Sequence, residues 1–250
     1  RIVAFLLIYL GTLFSSSLSA QNSFSGVFNK TSATHIYLYQ ITWDELIRRN
    51  DELAKDSFQL IDLEAVAGGE EVSFWGIWRK TTRRARIERV SGWENIIKLK
   101  RRMQEEGYAL IDIEGYQDPS GANLFTGVWI KGQEEQKLWK LDSWEGLIKN
   151  TDIQAKAYFQ LVDIEAYTDE WGMNNYLAVY HKMAPSERGY LVRTDDAEAF
   201  FREHTRRHKS GYALVDYETF ESNGQQFLLG MYKKSSTAEV TRSRLDWESF

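Results

Sequence analysis

Hydrophobic and polar positions follow two alternating periods along this chain, and the same succession returns about every 50 residues. After Trp93, apolar residues recur at helical spacing at Ile96, Ile97 and Met103, and the run ends near Gly107. A short apolar strand pattern follows in GYALIDIEGY, then a polar, glycine-bearing loop and two further strand patterns. Each period is therefore predicted to form one helix and three strands, an αβββ unit.

Three columns of residues keep a constant phase through these periods. The anchor column begins each predicted helix, with spacings of 50, 51, 53 and 50 residues, and a second aromatic column precedes it by 15 residues, or 17 in the fourth case. A lysine follows each second-column residue by two positions. The anchors are Trp43, Trp93, Trp144, Ala197 and Trp247; the second column is Phe28, Trp78, Trp129, Tyr180 and Tyr232; the lysine column is Lys30, Lys80, Lys131, Lys182 and Lys234.

The constant spacing of these columns predicts a β-rich α+β tandem repeat. A unit of ~50 residues is too small to bury its own apolar face, so neighbouring units must stack. We expect a propeller-like ring of αβββ units, either open or closed by a strand exchanged between the termini. The predicted divisions are a partial unit 24–42, units 43–92, 93–143, 144–196 and 197–246, and the start of a further unit at 247–250.

The first 20 residues differ from the repeat domain, residues 21–250. An apolar run from Ile2 to Phe14 is followed by small residues up to Ala20, which is typical of a secretory signal peptide and shorter than the ~20 apolar residues that span a bilayer. The alternative is a buried or interfacial helix. Because the sequence starts at Arg1 and ends just after the anchor Trp247, we expect it to be a fragment.

Composition narrows the class of protein. The 250 residues carry a net charge of −5 with acidic and basic residues intermixed, so no basic stripe suited to nucleic acid stands out. The chain has no cysteine, so an exported form would be held by its core and not by disulfides. We expect a secreted, periplasmic or cell-envelope protein, bacterial in origin, with no membrane span after signal removal.

The combined motifs resemble a known family. Each unit has a helix that begins with an aromatic residue, then G-Y-x-apolar-apolar, then a loop, then a strand that ends in G/A-V-W, as in FTGVW. This order is similar to the bacterial tandem repeat domain found as structural repeats of polyglycine hydrolases. The resemblance covers residues 24–250 and implies a propeller-like ring in which the repeats are non-catalytic. In those hydrolases a separate β-lactamase-like domain performs the chemistry, and its Ser-x-x-Lys motif has no match here.

An Asp-x-Glu pair recurs 19 residues after each of the first four anchors, in the first strand of each unit. Both carboxylates of a pair share one strand face, and in the second unit Ile111 and Ile113 are predicted to face the other layer. Two bare carboxylates ~7 Å apart would repel by roughly 2 kcal/mol at an effective dielectric of 20. We interpret this acidic column as a structural ladder, neutralised by the lysine column, backbone amides or indoles; calcium sites and a polar ligand face are the alternatives. Its members are Asp62, Glu64, Asp112, Glu114, Asp163, Glu165, Asp216 and Glu218.

Two tryptophans stand outside the columns. Trp75 and Trp171 are candidate ligand contacts, because a repeat fold does not require aromatics at those places. His204 and His208 lack the His-Glu-x-x-His pattern of a zinc site, so no metal ligand is predicted. No catalytic motif is present in the sequence.

These observations predict a secreted, non-catalytic, propeller-like module without a required cofactor, which binds a protein or a glycan. The alternative is the N-terminal repeat portion of a larger secreted serine hydrolase of the β-lactamase-like, polyglycine hydrolase-like type.

Overall fold

The structure, a computed structural model, describes residues 2–9, 23–30, 34–68, 71–183, 189–222, 224–235 and 239–245. In this part of the chain the helices and strands repeat in a fixed order. The helices are α1 (Trp43–Lys55), α2 (Trp93–Glu105), α3 (Trp144–Lys156) and α4 (Ala197–Lys209). The strands are β1 (Ile2–Tyr9), β2 (Ser23–Lys30), β3 (His35–Ile41), β4 (Phe58–Gly68), β5 (Glu71–Lys80), β6 (Ala85–Ser91), β7 (Tyr108–Gln117), β8 (Asn123–Lys131), β9 (Gln136–Leu141), β10 (Phe159–Thr168), β11 (Asn174–Lys182), β12 (Tyr190–Thr194), β13 (Tyr212–Ser222), β14 (Gln225–Lys234) and β15 (Glu239–Leu245).

Four three-stranded antiparallel sheets have the same topology. In each, the strand before a helix and the strand after it flank a central third strand. We number them sheet 1 (β3-β5-β4), sheet 2 (β6-β8-β7), sheet 3 (β9-β11-β10) and sheet 4 (β12-β14-β13). The prediction of β-rich repeats of strands plus a helix is confirmed. Each sheet runs strand, helix, strand, strand, so it takes its outer strand from the end of the preceding αβββ period.

Local signals explain where the helices begin and end. Thr42, Ser143 and Asp196 occupy the N-caps, and each side chain accepts a hydrogen bond from a backbone amide of the first turn. One residue beyond each C-cap the backbone is left-handed, at Ser57, Gly107, Tyr158 and Gly211. Only glycine adopts this conformation without steric cost, so the backbone is strained at Ser57 and Tyr158 but not at Gly107 and Gly211.

A β-bulge precedes the acidic pair in every one of these sheets. The register of β7 against β8 shifts between Leu110 and Asp112, and β4, β10 and β13 shift at the equivalent place. The prediction that Ile111 and Ile113 face one layer is therefore wrong. Ile113 lies in the core of its own sheet, while Ile111 packs against the core built around Leu60 and Trp78 of sheet 1.

The cores lie between helix and sheet and extend from one sheet to the next. Beneath α2, Ile96, Leu99 and Met103 pack on Leu110 and Trp129, and Leu177 and Val179 of sheet 3 join the same cluster. T-shaped aromatic pairs repeat this junction: Phe74 with Tyr116, Phe125 with Tyr167 and Tyr176 with Phe220, at centroid distances of 5.7, 5.5 and 5.7 Å. Stacking therefore buries the faces that one unit leaves uncovered.

A fifth sheet joins the two ends of the described chain. Its order is β1-β2-β15, with β2 in the centre and both neighbours antiparallel to it. We call it the terminal sheet. Residues 10–20 of the predicted signal peptide lie outside the described residues, and the signal peptide itself stays a prediction.

Candidate functional site: the acidic column and the Trp171 loop

The carboxylates of the acidic column accept hydrogen bonds from the backbone of the neighbouring sheet. Asp112 Oδ2 accepts from the amide of Leu63 at 2.6 Å, and Asp163 Oδ2 accepts from Ile113 at 3.0 Å. Asp216 Oδ2 accepts from Ile164 at 3.2 Å. Each donor is the residue that follows the aspartate of the preceding sheet. The aspartates therefore link successive first strands head to tail.

The glutamates repeat this arrangement two residues further on. Glu114 Oε2 accepts from the amide of Ala65 at 2.8 Å, and Glu165 accepts from the amide of Gly115. Asp112 and Glu114 thus point to the same neighbouring strand, as expected for residues two apart on one strand face. These donors are main-chain groups on the edge of β4 and β7 that does not face the central strand of its own sheet.

Burial controls the proton affinity of the column. Asp112, Glu114, Glu165 and Glu218 are less than a tenth exposed. Burial raises the pKa of Asp112 and Glu114 well above the usual range, and neighbouring carboxylates raise both further. Burial likewise raises the pKa of Glu165 to about 8 and that of Asp216 to about 6. At pH 7 Glu165 is therefore mostly protonated, whereas Asp216 is mostly ionised.

One pair in the column interacts side chain to side chain. Glu165 and Glu218 are joined by a side-chain hydrogen bond, which requires one of the two carboxyl groups to be protonated. Burial is also the main cause of the raised pKa of Glu218, followed by the charge of Glu64. The repulsion between the carboxylates of the column is therefore offset by protonation, by backbone amides and by the charge of Lys233.

Lys131 and Lys234 of the lysine column do not supply that neutralisation. Lys131 Nζ donates to the backbone carbonyl of Glu106, at the end of α2, at 2.7 Å, and lies 4.7 Å from the ring centroid of Tyr108. Lys234 has the same position relative to Ser210 and Tyr212. These lysines cap helix ends, so their predicted role at the carboxylates is wrong.

Lys233 is the basic residue that the sequence reasoning missed. It precedes the column lysine Lys234 in β14, and its charge interacts with Asp216 and Asp163. Burial lowers the pKa of Lys233, and the two aspartates partly oppose that shift. Its signal in the sequence was weak, since it is one of two adjacent lysines and only the other keeps the phase of the repeat.

Metal ligation finds no support in the described residues. Within them, no three histidine, cysteine, aspartate or glutamate side chains are arranged to hold a metal ion. His204 packs against Tyr232 and His208, with centroid distances of 6.0 and 6.2 Å.

The two candidate tryptophans have opposite environments. Trp75 lies in β5 and is 2% exposed, with its ring centroid 5.3 Å from that of Tyr39. Its interpretation as a loop residue available to a ligand is therefore wrong. Trp75 pairs with Glu64 across the sheet, and the equivalent residue of sheet 2 is Thr126. Because that equivalent residue is polar, the repeat pattern did not predict a buried side chain at the position of Trp75.

Trp171 stands at the tip of an ordered loop and is 74% exposed. The side chain of Asp169 organises this loop: Oδ1 accepts from the amides of Trp171 at 3.1 Å and Met173 at 2.9 Å, and Oδ2 accepts from Asn175 Nδ2 at 2.8 Å. Gly172 adopts φ +74°, which a side chain would strain. The loop thus presents a large aromatic on a fixed backbone, beside Met173, which is 61% exposed.

The same loop design occurs in sheet 2 without the aromatic. Asp118 Oδ1 accepts from the amides of Ser120 and Ala122, both at 2.9 Å, and Gly121 has φ +83°. Asp118 and Asp169 are therefore structural residues of equivalent loops, and only the exposed residues differ. The sequence signal that could have identified them is the shared Asp-x-x-Gly spacing.

The fold and these contacts define a tandem array of helix-and-strand units joined through acidic side chains. Residues 37–81 and 101–132 match the model of the family described as the polyglycine hydrolase-like structural repeat. The matched ranges fall in sheets 1 and 2, and they confirm the resemblance drawn from the sequence. A comparison with curated proteins gives no match. None of the helices in the described residues is long and apolar enough to cross a membrane.

Proposed function

We propose that this chain is a secreted, non-catalytic binding module of propeller-like form, in which the Trp171 loop contacts a protein or a glycan. The observation that carries the proposal is the 74% exposure of Trp171 on a loop fixed by Asp169. Aromatic side chains on preorganised loops supply large contact area at low entropic cost, which is why they dominate interaction hot spots. No cofactor is required for this role.

Ring closure is part of the same proposal. It is supported by the pairing of β2 with β15 and by the contacts of β2 with β13 of sheet 4, all of which lie within residues 21–250. A closed ring would hold the hairpin loops of all units at fixed relative positions, so that Trp171 lies in a rigid surface.

The test is a glycan array and a pull-down with the full 250-residue chain, repeated with Trp171→Ala. The matched control is Trp139→Ala, which removes a tryptophan that is 42% exposed but lies within strand β9. We expect the control to bind the ligand as the unmodified chain does. Trp171→Ala should lower the binding affinity about 30-fold or more, as for a hot spot of about 2 kcal/mol. Equal binding by both variants would contradict the assignment of the loop, and two empty screens would contradict a binding role.

A second candidate is a purely structural repeat within a larger secreted serine hydrolase. The observation that favours it is the family match, whose description is that of a structural repeat. Sequencing the gene beyond codon 250 tests this candidate, because it requires a Ser-x-x-Lys motif in a following domain. An open reading frame that ends without that motif would contradict it.

A further inference from the structure

Sheet 3 and its helix α3 carry a second exposed apolar cluster, at the end opposite the Trp171 loop. The hairpin of β10 and β11 turns at that loop, and its other end lies next to the end of α3. There the amide of Met183 donates to the carbonyl of Tyr158 at 3.0 Å, and the two residues are 47% and 57% exposed. Ile153, in the last turn of α3, is 51% exposed. We call Ile153, Tyr158 and Met183 the Tyr158 patch.

The residues at the equivalent positions of the other three sheets are polar or glycine. The backbone bond between Met183 and Tyr158 recurs at 2.9 to 3.0 Å in each of sheets 1, 2 and 4, so these positions correspond in structure. At the place of Ile153 the other helices carry a charged residue that forms an ion pair. In the order of sheets 1, 2 and 4, the replacements are Glu52, Arg102 and Arg206 for Ile153, Ser57, Gly107 and Gly211 for Tyr158, and Thr81, Gly132 and Ser235 for Met183. The repeat fold therefore does not require apolar side chains at this end of a sheet.

Tyr158 strains the backbone at its position. Its φ of 63° lies in the left-handed region, where glycine stands after α2 and α4. Because the residue is 57% exposed, burial within the chain does not account for the tyrosine. A strained residue in an exposed apolar cluster is typical of an interaction surface.

Lysines border the Tyr158 patch. Lys156 is exposed in the last turn of α3, and Lys182 is exposed at the end of β11. Of the acidic residues nearby, Glu135 pairs with Lys182 at 2.7 Å and Asp152 is only partly exposed. This end of sheet 3 is therefore suited to a partner that is both apolar and acidic.

The Trp171 loop has this combination. It presents Trp171 and Met173 together with an exposed acidic residue, Glu170. The other acidic residue, Asp169, is buried, bonded to backbone amides and close enough to Lys140 to interact with its charge, so Glu170 is the one that the loop offers to a partner. In the equivalent loop of sheet 2, the residues in place of Glu170, Trp171 and Met173 are Pro119, Ser120 and Ala122. Loop and patch are thus departures from the repeat in one sheet, with complementary charges.

We propose that the Tyr158 patch is a docking site for the Trp171 loop of a second copy of this chain. The inference rests on the proposed function, since it names a protein partner for that loop. Because the two surfaces differ and lie at opposite ends of sheet 3, the contact is heterologous. A pair of chains keeps one unoccupied loop and one unoccupied patch, so association continues head to tail.

The test exchanges each surface for residues that alter it without disturbing the fold. The patch variant combines Ile153→Glu, Tyr158→Ser and Met183→Thr, which are the residues of sheet 1 at these positions. The loop variant is Trp171→Ala. Sedimentation equilibrium over a range of concentrations measures self-association of the full chain, of each variant and of an equimolar mixture of the two variants. If the triple variant does not fold, Ile153→Glu alone takes its place in every measurement.

We expect the mass of the unmodified chain to rise with concentration beyond that of a dimer. Self-association of each variant alone should be weakened about 30-fold or more, the effect of losing a hot spot of about 2 kcal/mol. The mixture should regain the affinity of the unmodified chain but stop at a dimer, because the patch variant supplies an intact loop and the loop variant an intact patch.

Three results would overturn the inference: an unmodified chain that remains monomeric, self-association that persists in either variant, or a mixture that does not associate. The inference and the proposed function fail separately. Ligand binding that depends on Trp171, in a chain that remains monomeric, would overturn the inference and support the proposed function. Self-association that requires both surfaces supports both, with a second copy as the partner of the loop.

Discussion

Asp112 shows how a single side chain can take over the role of a neighbouring strand. Its Oδ2 accepts the amide of Leu63, a backbone donor on the free edge of another sheet, while burial raises its pKa. A buried amide without an acceptor is costly, so the carboxylate satisfies a group that no strand pairs. The fold therefore uses Asp112 as a hydrogen-bond acceptor, while burial disfavours the charged form of its carboxyl group.

Two substitutions at Asp112 separate these properties. Asp112→Asn keeps a side-chain acceptor and cannot ionise, so we expect a free energy of unfolding within about 1 kcal/mol of the unmodified chain. Asp112→Ala leaves the Leu63 amide without its acceptor and should cost about 1–3 kcal/mol. Urea unfolding monitored by circular dichroism measures both. If the asparagine variant is as unstable as the alanine variant, the carboxylate charge itself is what the fold requires.

The tryptophans divide in the same way, between fold and surface. Trp129 is fully buried, so Trp129→Ala should lower the free energy of unfolding by about 3–5 kcal/mol. Trp171→Ala should change it by no more than about 0.5 kcal/mol, since its side chain is mostly exposed. Chemical denaturation of both variants measures this difference. A large loss from Trp171→Ala would assign that residue to the fold.

Residue identity predicted the acidic column but not its donors. The 19-residue phase identifies all eight carboxylates, since periodic residues can be read directly from the sequence. Backbone amides leave no such signal, because every residue except proline carries one. The sequence therefore left the lysine column, backbone amides and indoles as alternatives, and the structure places backbone amides at the aspartates.

At the scale of the element, the bulge and the helix end decide where side chains point. The bulge before Asp112 places Leu110 and Ile113 in one core and Ile111 in the next. Alternation alone could not predict this, because an extra residue in one strand reverses the faces of the residues around it. The helix starts were predictable, since three of the four described helices begin directly after a side chain that caps the first turn.

The left-handed position after α3 gives a direct test of this element. Tyr158 has φ 63° there and is 57% exposed, whereas Gly107 and Gly211 occupy the equivalent places after α2 and α4. Tyr158→Gly should raise the free energy of unfolding by about 1 kcal/mol, because relief of the left-handed strain exceeds the loss of exposed contacts. The converse substitution Gly107→Ser should lower it by a similar amount. Thermal melts of the two variants measure these shifts, and a destabilised Tyr158→Gly would show that the tyrosine ring has a packing role.

At the scale of the whole molecule, stacking joins the units through apolar cores and the acidic column together. The repeat phase was sufficient to predict stacked β-rich units, because the unit cannot bury its own core. It did not show that each sheet takes its outer strand from the preceding period, since strand pairing is not encoded in the period length. Our central claim is that the acidic column is a structural ladder that holds protons and requires no cation.

This claim has a consequence for stability against pH. Between the ordinary carboxyl pKa and its raised value, the folded state binds more protons than the unfolded state, so stability falls as pH rises. Buried His181 and His204, whose pKa values are lowered by burial, have the opposite effect below about pH 6.5. The window that separates the column from the histidines therefore runs from about pH 6.5 to about 8.5, around the pKa of about 8 at Glu165. Lys233, whose pKa burial lowers, opposes the fall in stability towards the upper end of that window.

The most direct test is the Tm of the full chain from pH 6.5 to 8.5, with calcium and with EDTA, beside Glu165→Gln. We predict a Tm that falls as pH rises, the same in calcium and in EDTA, with a shallower fall in Glu165→Gln because that variant has one fewer raised pKa. A calcium-dependent rise in Tm that disappears in Asp112→Asn would contradict the claim and assign the column to cation binding.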